Sequence, residues 1–246
     1  MARDMERAYR HIAAGEQHHK SGGTLRQVIL GGQDGLVNVL GIVLGLAGAV
    51  IVNPNIGASA IMVGGLAATF AESVSMAAVA YTSGKAQRDF YYSEMEREKQ
   101  EMRDLPEIER EEIKIIYMKK GFRGKQLEGI VDKICGDDKM WLETMMTDEL
   151  GLSESKDINP VGEAFVVGVS AMAGSLIPLA PFFLTSAKFA VVPALALSGL
   201  ALFCIGAYKG KTTTGVWWKS GLEMLIIGLA AAFIGYAIGA WAGGVF

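Results

Sequence analysis

Two acids stand almost alone in the apolar parts of the sequence. Across residues 27–84 the only charged side chains are Asp34 and Glu72. A carboxylate at the centre of a bilayer costs about 2.5–3.5 kcal/mol on insertion scales, so such residues usually face an ion path or bind a proton. Asn38 follows Asp34 by one helical turn and Met76 follows Glu72 by one, so each pair shares a helix face. Oxygen and thioether donors together favour a first-row divalent ion over Mg²⁺ or Ca²⁺.

Each of these residues also has a purely structural interpretation. Asp34 could be a neutral, hydrogen-bonded structural acid, and Met76 could serve packing alone. Glu72 could pair with a base in a loop or lie near the membrane interface. Whether Glu72 belongs to an ion path is therefore left open.

A second group of possible ligands lies in a strongly charged segment. Residues 88–157 hold 19 of the 26 acids and 13 of the 23 bases. Carboxylates spaced by three or four residues project from one helix face, and carboxylates from facing helices build multi-metal sites in helical bundles. The candidate ligands with this spacing are Glu98, Glu101, Glu109, Glu112, Met145, Met146 and Glu149.

The alternative for this segment is an ordinary solvated acidic face. The neighbouring methionines Met145 and Met146, with Glu149 on the same side, are harder to explain in that way. The segment contains no histidine, which argues against a di-iron oxidase, since that site needs Glu-x-x-His pairs.

Apolar runs of about 20 residues predict five transmembrane helices, because that length spans roughly 30 Å of hydrocarbon. The runs cover residues 28–52, about 57–84, 161–185, 189–208 and 221–241. The fold class is therefore an all-α membrane protein with a charged insert between the second and third spans. The predicted organisation is an amino-terminal arm (1–25), two spans (26–84), the insert (85–158) and three further spans (159–246).

Proline and glycine positions predict how the insert is divided into helices. The second span continues without a break as a helix to about Asp104, and Pro106 suits the first turn of the next helix, which runs to Lys120. Two shorter helices are expected at residues 124–135 and 138–150.

The distribution of bases predicts the orientation. With five spans, the arm, the insert and the loop that carries Lys209, Lys211 and Lys219 share one side of the membrane. The positive-inside rule places that side in the cytoplasm. The arm has no secretory signal, and His18 and His19 diverge by about 100° on a helix, so their role is left open.

Glycines recur at four-residue spacing in two of the spans. This pattern permits close approach of helices in lipid, but glycine is also simply common in transmembrane helices. Neither interpretation is favoured by the sequence. The glycines concerned are Gly41, Gly45, Gly235, Gly239 and Gly243.

Five stretches together resemble the vacuolar iron transporter family. They are GGQDGLV around Asp34, SMAAVAY around Met76, REKQE, WLETMMTDELGL and GSLIPLAPFF, and the resemblance covers almost everything after residue 25. It implies five transmembrane helices per protomer and a homodimer with the ion path between the two copies. It also implies a cytoplasmic three-helix metal-binding domain between the second and third spans.

The resemblance implies a transporter, not an enzyme, that exports Fe²⁺ from the cytosol against an inward flow of protons. The implied transporter would also accept Mn²⁺, Zn²⁺ or Co²⁺. The implied partners are divalent metal ions, protons and the lipid bilayer, with no prosthetic group and no nucleic acid. Asp34 and Met76 would line the path, with Glu72 and Asn38 as further candidates. The seven Glu and Met residues of the insert would be its ligands.

The membrane that the protein occupies and an alternative function remain to be predicted. The short arm without an evident targeting signal favours a prokaryotic plasma membrane, or a vacuolar membrane if the protein is eukaryotic. The alternative function is a membrane-anchored iron buffer or sensor that binds metal without transporting it.

Overall fold

The computed structural model describes residues 2–152, 159–213 and 215–245, and it describes side chains from residue 23 onwards, except at residue 213. Nothing is therefore said of the side chains of His18 and His19. The described residues are almost entirely helical, with no β-strand among them. This agrees with the all-α class predicted from the sequence.

The amino-terminal half is built from two long helices. Helix α1 spans Ala2–Val52 and α2 spans Ser59–Asp104. A short 3₁₀ turn, Pro54–Ile56, joins them, and the side chain of Asn53 accepts a hydrogen bond of 3.2 Å from the backbone N–H of Asn55. The Asn-Pro-Asn sequence thus forms the turn between the first two long helices.

The remaining helices are shorter. They are α3 (Pro106–Lys119), α4 (Gly124–Cys135), α5 (Asp138–Thr144), α6 (Pro160–Leu184), α7 (Ala187–Thr213) and α8 (Trp217–Val245). A π-helical turn, Met145–Glu149, follows α5 directly.

Five helices are long and apolar enough to cross a membrane. The segments are Gly23–Val52, Ser59–Asp104, Pro160–Leu184, Ala187–Thr212 and Trp217–Val245. Their number and order confirm the five spans predicted from the apolar runs. The protein is accordingly a multi-pass membrane protein.

The chain divides into two compact units, of which the first is Met1–Tyr81 with Pro160–Phe246. Helix α1 lies at the centre of this unit and packs against α6 and α8. Its buried face carries Leu36, Val39 and Val43, all without solvent exposure. The outward face of α2 is apolar and exposed, as at Val63 and Val74, which suits contact with lipid.

The glycine rows bring α1 and α8 together within one protomer. A Cβ atom placed on Gly235 or Gly239 would collide with the backbone of Gly41 or Gly45 on α1. Gly243 faces Ala49 in the same way, with a backbone atom 2.7 Å from such a Cβ. Of the two interpretations of these glycines, the structure supports close helix packing.

The second compact unit is Thr82–Asn159. It contains the second half of α2, helices α3 to α5 and the π-helical turn. Its apolar core is built from Ile113, Leu127, Val131, Ile134, Trp141 and Met145. Helix α2 is unbroken through Gly84, as predicted, and ends at Asp104.

Candidate metal-binding sites

Three glutamates from three different elements of the second unit converge. Each of Glu98, Glu109 and Glu149 offers a carboxylate oxygen, and these oxygens all lie within 4.8 Å of one another. Two oxygens on opposite sides of a metal ion with bonds of about 2.2 Å lie about 4.4 Å apart. Small side-chain rotations would therefore let all three carboxylates bind one ion. We call these three residues the carboxylate cluster.

Two members of the carboxylate cluster are buried without sufficient partners. Glu98 is 2% exposed and Glu109 is 4% exposed. The Oε2 atom of each is fully buried and has no hydrogen-bond partner. A buried polar atom without a partner costs about 1–3 kcal/mol, and more when it carries charge. These oxygens therefore need a proton or a cation, and a bound metal ion would supply the latter.

The local sequence explains why Glu98 and Glu109 meet. The N–H of Leu105 makes the last i to i−4 hydrogen bond of α2, 2.8 Å long, to the carbonyl of Glu101. The helix ends because the backbone of Leu105 is itself not helical (φ −133°, ψ 45°). Pro106 then occupies the first turn of α3, where its missing N–H costs nothing. With one residue between the two helices, the last turns of α2 and the first turn of α3 are neighbours. Glu109 also benefits from the positive end of the α3 dipole.

The third glutamate reaches the cluster from the π-helical turn. The backbone N–H of Leu150 donates to the carbonyl of Met145 at 3.2 Å, the i to i+5 bond that defines this turn. The Nζ atom of Lys120, at the end of α3, binds the Asp148 carboxylate beside Glu149. This ion pair attaches the turn to α3 and so holds Glu149 near Glu109.

Burial and neighbouring charges raise the pKa values of all three glutamates of the carboxylate cluster, including Glu98 on α2. Burial, followed by the charges of Glu112 and Glu98, raises the pKa of Glu109 to about 7. Partial burial, followed by the same two charges, raises the pKa of Glu149 to about 7. Both carboxyl groups therefore exchange a proton near neutral pH, and a cation that binds there competes with protons.

The other predicted ligands of the insert differ in their relation to the cluster. Glu112 is half-buried, and its charge acts on Glu109 and Glu149. Glu101 is close enough to raise the same two pKa values. Met146 is 2% exposed, whereas Met145 lies in the apolar core of the unit. The structure thus brings Glu98, Glu109 and Glu149 together most closely.

Sequence reasoning missed two features of this region. One is Arg97, whose guanidinium pairs with Glu98 at 3.3 Å. The alternation of acids and bases along α2 was the only signal of such pairing. The other is the π-helical turn, which no residue pattern in Met145–Glu149 announces.

A separate polar site lies between the first two spans, within the first unit. Asn38 of α1 donates a hydrogen bond of 3.1 Å from Nδ2 to Oε1 of Glu72 on α2. The Asp34 carboxyl group lies close enough to the same Glu72 carboxyl to interact with it. Met76 is half-buried one helical turn beyond Glu72. Three of the four predicted path residues therefore meet, and Glu72 pairs with other span residues instead of a loop base.

Fold and sites together define a multi-pass helical membrane protein with facing polar groups between its spans and a separate carboxylate cluster. Comparison with known proteins names the class. The model of the VIT family matches residues 25–240, nearly the whole chain, so the chain belongs to the VIT family. This is a family of transporters, not of enzymes.

Several named relatives are similar over most of their length. The chain is 31% identical to "Vacuolar iron transporter 1" of Tulipa gesneriana, across 91% of this chain and 89% of the relative. It is 30% identical to "Vacuolar iron transporter 1" of Oryza sativa subsp. japonica, across 96% and 92% respectively. A third relative, "Vacuolar iron transporter 1" of Arabidopsis thaliana, is 30% identical across 91% and 88%. The family resemblance noted in the sequence is thereby confirmed.

Proposed function

We propose that the protein moves Fe²⁺ out of the cytosol across its membrane in exchange for protons, and that it tolerates Mn²⁺ and other first-row divalent ions. The single observation that carries this proposal is the carboxylate cluster, with its two buried and unpartnered oxygens. The relatives named as iron transporters support iron as the substrate.

In this mechanism the second unit lies on the cytosolic side and captures the ion. Acid-rich surroundings raise the local concentration of cations, an effect that salt weakens. Glu98, Glu109 and Glu149 then bind the ion, and Met146, buried nearby in the same π-helical turn as Glu149, offers a soft sulfur donor. Because Glu109 and Glu149 have pKa values of about 7, capture releases protons.

The polar site between the spans provides the path through the membrane. Asp34 and Glu72 place two carboxyl groups near each other within the spans, and a carboxyl group in a bilayer usually faces an ion path or binds a proton. Arrival of a divalent ion would displace a proton held there, which is the elementary step of exchange. Each pH unit across the membrane supplies about 1.4 kcal/mol per proton moved.

A homodimer would complete the path. Asn38 is exposed and Asp34 and Met76 are only half-buried in a single protomer, although all three lie in spans. Polar side chains within the bilayer normally face a protein interior or water. A second copy that covers this face would enclose the polar residues between the two protomers.

The test is Fe²⁺ uptake into proteoliposomes under an imposed pH gradient, with Mn²⁺, Zn²⁺ and Mg²⁺ as competitors. We expect uptake that depends on the gradient, competition by Mn²⁺ but not by Mg²⁺, and loss of uptake in Asp34→Ala. If Asp34→Ala transports as well as the unchanged protein, the exchange step is wrong.

The alternative, a membrane-anchored iron buffer or sensor, is favoured by one observation: the carboxylate cluster is complete within the second unit alone. It predicts that the purified protein binds Fe²⁺ tightly but carries none across the vesicle membrane under any gradient.

A further inference from the structure

One guanidinium group contacts three carboxylates at the edge of the carboxylate cluster. Arg97 pairs through Nη1 with Glu94 at 2.8 Å, through Nη2 with Glu98 at 3.3 Å, and through Nε with Glu101 at 3.7 Å. Each nitrogen thus serves a different acid, an arrangement that suits the planar fork of arginine. The Arg97 side chain is 50% exposed, so it can move without repacking of the core.

Two of these three carboxylates are proposed metal ligands and the third is not. Glu98 belongs to the carboxylate cluster, and Glu101 lies one turn further along the same helix face. Glu94 lies one turn before Glu98, outside the cluster, and makes the shortest contact with Arg97. Arg97 can therefore release Glu98 and Glu101 while it remains paired with Glu94.

Arg97 is also the cation best placed to replace a metal ion. Its charge acts on Glu149 as well as on the three acids that it contacts. Lys99, the next base along α2, pairs instead with Glu96 at 3.5 Å. A divalent ion that enters the cluster would meet the repulsion of Arg97 and would compete with it for the same oxygens.

We propose that Arg97 is a tethered counter-cation that competes with the metal ion for Glu98 and Glu101. This competition weakens the binding of the ion and speeds its release. This proposal rests on the proposed metal-binding function of the cluster. A transporter gains from such a competitor, since an ion that is held too tightly cannot be passed on.

The first test compares metal affinity in the purified full-length protein, with Co²⁺ as the probe and titration calorimetry as the measurement. In Arg97→Gln we expect tighter binding on the order of tenfold, a size typical of interaction between neighbouring sites. A chelator chase should show slower release. Arg97→Lys should fall between the two, because an ammonium group keeps the positive charge but lacks the planar, spread donors with which the guanidinium reaches the three acids.

Lys99→Gln is the matched control. It removes one positive charge from the same helix two residues away, so it controls for the loss of charge alone. If Arg97→Gln binds Co²⁺ no more tightly than Lys99→Gln does, or more weakly than the unchanged protein, Arg97 organises the site instead of competing with the ion. Either result overturns the proposal.

Glu94 offers an independent test of opposite sign. In Glu94→Gln the guanidinium loses its non-ligand partner and should rest more firmly on Glu98 and Glu101, so Co²⁺ binding should weaken. The same change in an Arg97→Gln background should have little effect, which a double-mutant cycle measures. An equal effect in both backgrounds contradicts the proposal. If Glu98→Gln does not alter Co²⁺ binding at all, the proposed function of the cluster fails first.

Discussion

Asn38 on α1 and Glu72 on α2 are joined by a hydrogen bond of 3.1 Å between the first two spans. The two residues lie 34 positions apart in sequence, and Asp34 also approaches Glu72 here. Polar and ionisable side chains are costly to place within spans, and where they occur they usually mark an ion or proton path. This hydrogen bond therefore anchors the proposed path to specific atoms.

Removal of the side-chain amide of Asn38 should impair transport without affecting metal capture. In Asn38→Ala the Glu72 carboxyl group loses its donor, so we expect Fe²⁺ flux to fall while the affinity of the purified protein for Co²⁺ is unchanged. Asn55→Ala, an exposed asparagine in the turn after α1, is the control and should retain full flux. Unchanged flux in Asn38→Ala would remove this contact from the mechanism.

Neutralisation of Glu109 should separate stability from metal binding. Glu109→Gln removes a buried carboxylate that has an unpartnered oxygen, so the metal-free protein should melt at the same or a higher temperature. The rise in melting temperature on addition of Co²⁺ should be lost, because ligand stabilisation follows affinity. Glu107→Gln, an exposed glutamate in the same turn, should behave like the unchanged protein. A full Co²⁺ shift in Glu109→Gln would exclude Glu109 as a ligand.

Metal affinity should rise with pH through the neutral range. Glu109 and Glu149 have pKa values of about 7, so below that pH each must lose a proton before it can bind a cation. Affinity should change by up to about tenfold per pH unit for each proton released. Calorimetry in buffers of different ionisation enthalpy counts these protons. Affinity independent of pH from 6 to 8 would contradict the raised values.

The same shifts predict the sign of the pH dependence of stability. A carboxyl group whose pKa is higher in the folded protein stabilises the fold at low pH, and this contribution is lost as pH rises through the folded value. The metal-free protein should therefore lose stability as the pH rises from about 4.5, the ordinary pKa of a glutamate, to about 7. Chemical denaturation that shows rising stability across this window would contradict the assignment.

A methyl group should not be tolerated where α8 meets α1. In Gly239→Ala the new Cβ collides with the backbone of Gly45, and overpacking of this kind costs about 1–3 kcal/mol. Gly244→Ala on the same helix meets only Val52 at 3.7 Å, an ordinary contact, and should be neutral or slightly stabilising. Thermal unfolding in detergent compares the two. Equal melting temperatures would show that α1 and α8 are less closely packed.

Much of the fold could be predicted because its causes are local. The length and apolar character of the runs predicted five spans, and Pro106 and Gly136 marked the ends of helices in the second unit. The glycine rows were visible as a pattern, but their partners were not. Pairing of Gly239 with Gly45 depends on the arrangement of α1 and α8, which periodicity does not report.

The candidate sites were predictable in composition more than in arrangement. Spacing on a helix indicated the glutamates of the insert, yet it gave equal weight to Glu101 and Glu98. The structure distinguishes them, because Glu98 is buried in the cluster and the side chain of Glu101 is 41% exposed. The pairing of Asn38 with Glu72 joins residues far apart in sequence, and one sequence carries no signal of it.

The most direct test of the account measures Fe²⁺ and protons together in the same proteoliposomes, with one dye for each inside the vesicle. We expect Fe²⁺ to enter as protons leave, at a fixed ratio, and Asp34→Asn to abolish both flows while the purified variant still binds Co²⁺. Fe²⁺ entry with no proton movement, or Fe²⁺ binding with no entry at all, would contradict it.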